Sequence, residues 1–212
     1  MLVEIVSDPV CPWCFLGKRR FDAALARRGQ LHVELHWLPF ELNPAMPEDG
    51  LPRDEYLAAK FGGLEALRQA EQRIVNLGTE AGIHFRFDLI RKSPNTRAAH
   101  VLSRIAAEHG RQAEVQEALF VAYFEAGEDI GDQATLLRIA TTAGLDAGTV
   151  RERLVSRRDW PQLDTLENEL RAAGVSGVPF FIFDRRYAVS GAQETVAFEQ
   201  ALDRAAAGTA NS

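Results

Sequence analysis

The chain has 212 residues, 46% of them apolar, which is enough for one large folded domain and too apolar for an intrinsically disordered one. Its 24 basic and 30 acidic residues leave a formal charge of −6, with Lys and Arg scattered in twos and threes, which argues against nucleic acid as a partner. The longest uncharged stretch, Ala172 to Phe183, falls short of the roughly 18 residues that a membrane-spanning helix needs, so no membrane association is expected.

The amino terminus has no basic cluster ahead of an apolar run, because Glu4 and Asp8 interrupt it and Lys18 comes late. No secretory signal is expected, and the cytoplasm is the expected compartment. Leu2 to Val6 reads as a short buried strand that ends at Ser7-Asp8-Pro9. Pro12 then occupies a first helical position, with Phe15, Leu16, Phe21, Ala24 and Leu25 following at helical spacing, which makes Cys11 the helix N-cap. Leu31 to Phe40 alternates in part and predicts a second strand, which leaves through Asn43 to Pro52. Asp54 to Phe61, and then Leu64, Leu67, Ile74, Leu77 and Ala81, show helical spacing up to Gly82. Ser93 and Pro94 look like the cap and first position of a helix carrying Ala98, Val101, Leu102 and Ile105. Val115, Leu119, Ala122 and Tyr123 mark another helix, and Asp132 and Asp146 can cap two more. A helix around Leu163, Leu166 and Leu170 follows. Phe180 to Phe183 and Tyr187 to Val189 then flank Asp184-Arg185-Arg186 as a hairpin, and a last helix bears Val196, Phe198, Ala201 and Leu202. Gly208 to Ser212 reads as a disordered tail.

The two cysteines, Cys11 and Cys14, carry the most information. Two cysteines placed at random would stand three apart about 1% of the time. A bridge between them closes a loop too small to stabilise the fold much, so a structural staple explains them poorly. A structural zinc site needs four ligands, and His32, His36, His84, His100 and His109 supply no second paired motif, so no metal is expected. Two inert buried thiols fit badly with Pro12 and Trp13, which suit an exposed turn. Thiol chemistry fits better. At a helix N-cap, unpaired backbone N–H groups and the positive end of the helix dipole stabilise a thiolate at Cys11, while Cys14, one turn on, is covered and protonated. One nucleophilic and one resolving sulfur are what exchange through a mixed disulfide requires.

With strand, Cys11-Pro-Trp-Cys14 opening a helix, and Gly174-Val-Ser-Gly-Val-Pro179 ahead of the run Phe180 to Phe183, the sequence resembles the DsbA-like branch of the thioredoxin superfamily, and most closely its cytoplasmic FrnE-like members. Ser7 to Arg20, Pro39 to Pro44, Pro94 to Thr96, Ala118 to Phe120 with Tyr123 and Phe124, and Val175 to Gln193 share the likeness, which covers most of the chain. The resemblance implies an α/β thioredoxin fold with a large all-helical insertion: core at 1–49 and 156–207, insertion at 50–155, tail at 208–212. It also implies a cis Val178–Pro179 bond lying against Cys11. Lacking an N–H, Pro179 keeps a donor away from the sulfur, and Val178 can pair with an extended substrate. The activity implied is dithiol–disulfide exchange on a protein or small-molecule thiol or disulfide, with no bound cofactor and glutathione as a redox partner or cosubstrate. Related 2-hydroxychromene-2-carboxylate isomerases and kappa-class glutathione transferases typically carry Ser where Cys11 stands, so the intact pair argues against that alternative. A cysteine-independent chaperone holding apolar clients is a second rival.

Asp8 reads either as a proton relay to Cys14 or as a turn former before Pro9. Lys18, Arg19 and Arg20 read as a solvated helix face. Trp13 is expected to line a substrate surface, whereas Trp37 and Trp160 read as core or rim aromatics. A cysteine-protease arrangement would need His100 beside Cys11, and nothing in the spacing supports it. Asn95 is expected to serve hydrogen bonding at a helix start. Acidic, compact chains of this kind often form homodimers, although no segment announces an interface.

Overall fold

The computed structural model describes residues 1–209. Strand β1 (Leu2–Ser7) runs into helix α1 (Pro12–Ala26) and then strand β2 (Glu34–Pro39), which pairs parallel with β1 from Leu2↔Glu34 to Ser7↔Pro39. The chain closes with helix α8 (Trp160–Ala172), strands β5 (Phe180–Phe183) and β6 (Tyr187–Ser190), and helix α9 (Thr195–Thr209). The sheet order is β2-β1-β5-β6, with β5 antiparallel to both neighbours. β1 is central and almost wholly buried, as its β-branched run requires. The second strand is shorter than Leu31 to Phe40, because β1 starts at Leu2 and offers no partner to Leu31–Val33. β2 is an edge strand, and it is covered: Gln112 accepts from Trp37 N and donates to Trp37 O, both at 2.9 Å. The hairpin turn puts Asp184 and Arg185 at positive φ, held by Leu2 N donating to Asp184 Oδ1 at 2.7 Å and by Arg185 forked onto Glu4.

Between β2 and α8 lie helices α2 (Arg53–Phe61), α3 (Leu64–Glu80), α4 (Arg97–Glu108), α5 (Gln112–Phe124), α6 (Gln133–Thr142) and α7 (Ala147–Ser156). The insertion is not purely helical. Strands β3 (Leu51–Pro52) and β4 (Lys92–Ser93) form a small antiparallel ribbon, in which Ser93 pairs with Leu51 instead of capping a helix. Thr96 takes the N-cap of α4, so that helix starts later than its Pro94 suggests. Asp132 and Asp146 do cap α6 and α7, accepting from Thr135 N and Thr149 N. Gly208 and Thr209, expected in a tail, are the last residues of α9, and residues 210–212 lie outside the described residues.

One core joins both parts. Phe15 of α1 stacks on Phe120 of α5 with ring centroids 5.1 Å apart and meets Phe85 edge-on at 6.0 Å. On its other side α1 packs Phe21 against Phe181 and Phe198, fixing the helix between β5 and α9. Among the described residues, no helix is long and apolar enough to cross a membrane.

Candidate active site

Cys11 is the N-cap of α1, with φ −92° and ψ 112°, and Pro12 is the first helical residue. Its carbonyl accepts from Cys14 N at 3.0 Å and from Phe15 N at 3.3 Å, which leaves its side chain at the helix start. Both cysteines are free thiols and both are buried. Across the site, the Cys11 thiol donates to Val178 O at 3.8 Å, and the Val178–Pro179 peptide bond is cis. The Val178 carbonyl thus faces the sulfur. Helix α1 and this loop meet at Gly17, where a Cβ would stand 3.0 Å from Pro179 Cγ and 3.4 Å from the Phe181 ring, so only glycine allows the approach. Burial, reinforced by the adjoining Cys11 sulfur, pushes the Cys14 thiol well above its usual range.

Asp8 is buried three residues before Cys11, and it is both the turn former and a titratable group. Oδ1 accepts from Val10 N at 3.3 Å and Oδ2 from Leu42 N at 2.8 Å, and its backbone carbonyl accepts from Cys11 N. Burial outweighs these hydrogen bonds and raises the carboxyl from 3.8 to about 7. The Leu42 donor is itself anchored: buried Glu41 pairs with Arg97 at 2.8 Å, its N–H donates to Glu167, and Arg171 donates to its carbonyl. His100, which the sequence offers only as a partner for Cys11, lies against Asp8 instead.

Trp13 is 40% exposed and stands at the mouth of a cavity of about 480 Å³ that also reaches Asp8, Cys11, Pro12 and Val178. The opposite wall comes from α2, α3 and α5 through Leu57, Leu67, Ile74 and Phe124. Sequence reasoning did not anticipate this wall; the periodicity of Leu67 and Ile74 gives a helix face without saying what it faces. The remaining candidates stand elsewhere. Lys18 is buried, contrary to the solvated face expected, and pairs with Asp22 and Glu117, while Arg19 also pairs with Glu117 and Arg20 with Glu194. These cations are committed to structure. Asn95 donates to Met46 O and accepts from Arg97 N, a helix-start role. Trp37 is buried in the core, and Trp160 is sandwiched by Arg97 and Arg157.

A strand–helix–strand start, a helix N-cap bearing the first of two cysteines and a late proline loop against it define a thioredoxin-like thiol protein. Residues 2–203 match the DsbA-like thioredoxin domain, and the chain belongs to that family. The crystal structure of a probable DsbA oxidoreductase from Streptomyces coelicolor is 36% identical, with a TM-score of 0.87 over 97% of this chain and 89% of that one. A 2-hydroxychromene-2-carboxylate isomerase shares the fold at 15% identity and a TM-score of 0.76, covering 100% and 98% of the two chains. The cytosolic disulfide reductase DsbM from Pseudomonas aeruginosa, solved with glutathione, does so at 18% and 0.64 over 100% and 98%.

Proposed function

We propose that the protein is a dithiol–disulfide oxidoreductase in which Cys11 is the nucleophile and Cys14 the resolving thiol. The observation that carries this reading is the asymmetry of two sulfurs one helical turn apart. Cys11 lies at the positive end of α1 and borders the cavity, whereas Cys14 lies behind it, buried and held protonated. In the forward direction the Cys11 thiolate attacks one sulfur of a substrate disulfide, forming a mixed disulfide and releasing the other sulfur as a thiolate. Cys14 loses its proton and attacks the Cys11 sulfur; the Cys11–Cys14 disulfide forms and the substrate leaves with both electrons. Asp8 borders the same cavity and titrates near neutrality, which suits it to take up that proton. The Val178 carbonyl, with Pro179 offering no N–H, orients the incoming sulfur and its flanking backbone. Trp13 and Pro12 supply apolar contact at the mouth.

No bound cofactor is needed. Glutathione serves as redox partner, a choice supported by its presence in the DsbM structure, and the same likeness supports a cytosolic setting. The test is equilibration of the pure protein in graded reduced and oxidised glutathione, followed by alkylation and mass measurement. A reversible two-electron transition between Cys11 and Cys14 is expected. Failure to form the intramolecular bond while glutathione still binds would move the assignment to a glutathione-dependent isomerase or transferase. Client protection surviving Cys11→Ser with Cys14→Ser would point to a chaperone.

A further inference from the structure

The cavity beside Cys11 has the size of a small-molecule site, and its walls are unequal. Helices α2 and α3 reverse at Gly62 and Gly63, whose φ values of 83° and 128° permit the tight turn, and the pair closes one side of the cavity. That side is mostly apolar, with Leu57, Leu67 and Ile74 among its lining residues and Phe61, 47% exposed, beside them. Its charges fall into two sets. Arg53 and Glu71 neutralise each other at 2.6 Å, deep in the wall. Lys60 and Arg73 also line the cavity, both exposed, and among the described residues neither makes an ion pair; Lys60 Nζ only stands 6.0 Å from the Tyr56 ring centroid.

Two cations without an ion pair at an apolar cavity can attract an anion even in a chain of net charge −6. An apolar wall favours a ligand with an aromatic or branched aliphatic body, and cations without an ion-pair partner favour an anionic group. A cavity of about 480 Å³ walled on one side by a helical hairpin has the dimensions of a small-molecule site.

We propose that the α2–α3 wall selects a small disulfide or thiol with an apolar body and an anionic group, placing its sulfur at Cys11 and its anion within reach of Lys60 and Arg73. This rests on the dithiol reading and names its substrate class. For such a disulfide, attack by Cys11 forms Cys11–S–S–R and releases one anionic thiolate. Attack by Cys14 then closes the Cys11–Cys14 bond and releases the second, so two electrons pass to the substrate and the two thiol protons pass to solvent or to the departing thiolates.

The test pairs two apolar aromatic disulfides, the dianionic dithiobis(nitrobenzoate) and the neutral dithiodipyridine, with the Lys60→Met/Arg73→Met variant. Both substitutions lie on the surface, and unchanged thermal unfolding checks that the fold is intact. Their different leaving groups cancel when each disulfide is compared between variant and parent. The second-order rate of oxidation of the reduced protein by the anion is expected to fall about tenfold, with the neutral disulfide unchanged and the difference shrinking in high salt. Equal effects on both disulfides, or none on either, overturn the proposal. Calorimetric binding of dithiobis(nitrobenzoate) to the Cys11→Ser/Cys14→Ser chain reads the site without redox chemistry. Saturable binding weakened by the two cation substitutions supports the site even if the dithiol reading fails, and absence of binding overturns it.

Discussion

His100 Nε2 lies 3.9 Å from Asp8 Oδ1, with both side chains buried and the ring nitrogen lacking a hydrogen bond. Burial raises the Asp8 carboxyl from 3.8 to about 7 and lowers the His100 imidazole from 6.5 to about 3. Between pH 3.8 and 6.5 the folded pair therefore holds one proton, on Asp8, and the unfolded pair also holds one, on His100. The two pH dependences cancel there, because stability changes only with the difference in bound protons.

Single substitutions unmask each half. In Asp8→Asn only His100 remains; the unfolded chain binds the extra proton below pH 6.5, so stability rises with pH from about 4 to 6.5. In His100→Gln only Asp8 remains; the folded chain binds the extra proton, so stability falls as pH rises from about 4 to 7. Each slope is at most about 1.4 kcal/mol per pH unit. Urea unfolding of the reduced proteins at pH 4.5 and 6.5, extrapolated to zero denaturant, should give opposite signs for the two variants.

Alkylation should separate the two thiols. With the reduced protein at neutral pH, iodoacetamide is expected to label Cys11 first and Cys14 only on unfolding, since Cys14 is buried behind its neighbour and held protonated. Peptide mapping by mass spectrometry checks the order, and prior labelling of Cys14 would reverse the assigned roles. The same asymmetry predicts that Cys14→Ser accumulates a stable mixed disulfide at Cys11, whereas Cys11→Ser does not.

Phe120 joins the insertion to the sheet domain by stacking on Phe15 and meeting Trp37 edge-on at 6.1 Å. Phe120→Ala should cost about 3–5 kcal/mol and leave a cavity under α1. Since the core is continuous, far-UV circular dichroism and Cys14 exposure should still report one coincident transition in urea. Separate transitions would show that the two parts unfold independently.

Features that depend on near neighbours in sequence were legible. The Cys11 N-cap with Pro12, the caps at Asp132 and Asp146 and the hairpin around Asp184 all follow from local backbone chemistry. What escaped depends on distant partners. Ser93 has the side chain of a cap but is drawn into a ribbon by Leu51, and Lys18 looks solvated until α5 brings Glu117 over it. His100 carries no local sign that it faces Asp8, and the α2–α3 wall of the cavity exists only once the helices pack. Family likeness supplied what spacing could not, the placement of Val178 and Pro179 against Cys11.

Gly17 tests whether that placement matters to the chemistry. It has no side chain where α1 passes Pro179, and an added methyl would press on Pro179 Cγ at 3.0 Å and on the Phe181 ring. Neither neighbour is a flexible chain end, so Gly17→Ala should move the proline loop away from α1 at a cost of about 1–3 kcal/mol. Because Cys11 Sγ rests on Val178 O at the same loop, exchange with a small disulfide should slow more than the loss of stability explains. The comparison is made at a temperature where both proteins are fully folded, against Gly29→Ala, where an added Cβ meets only Ala26 O at 3.8 Å. Unaltered exchange in a destabilised Gly17→Ala chain would mean that the proline loop supports the fold without orienting the substrate.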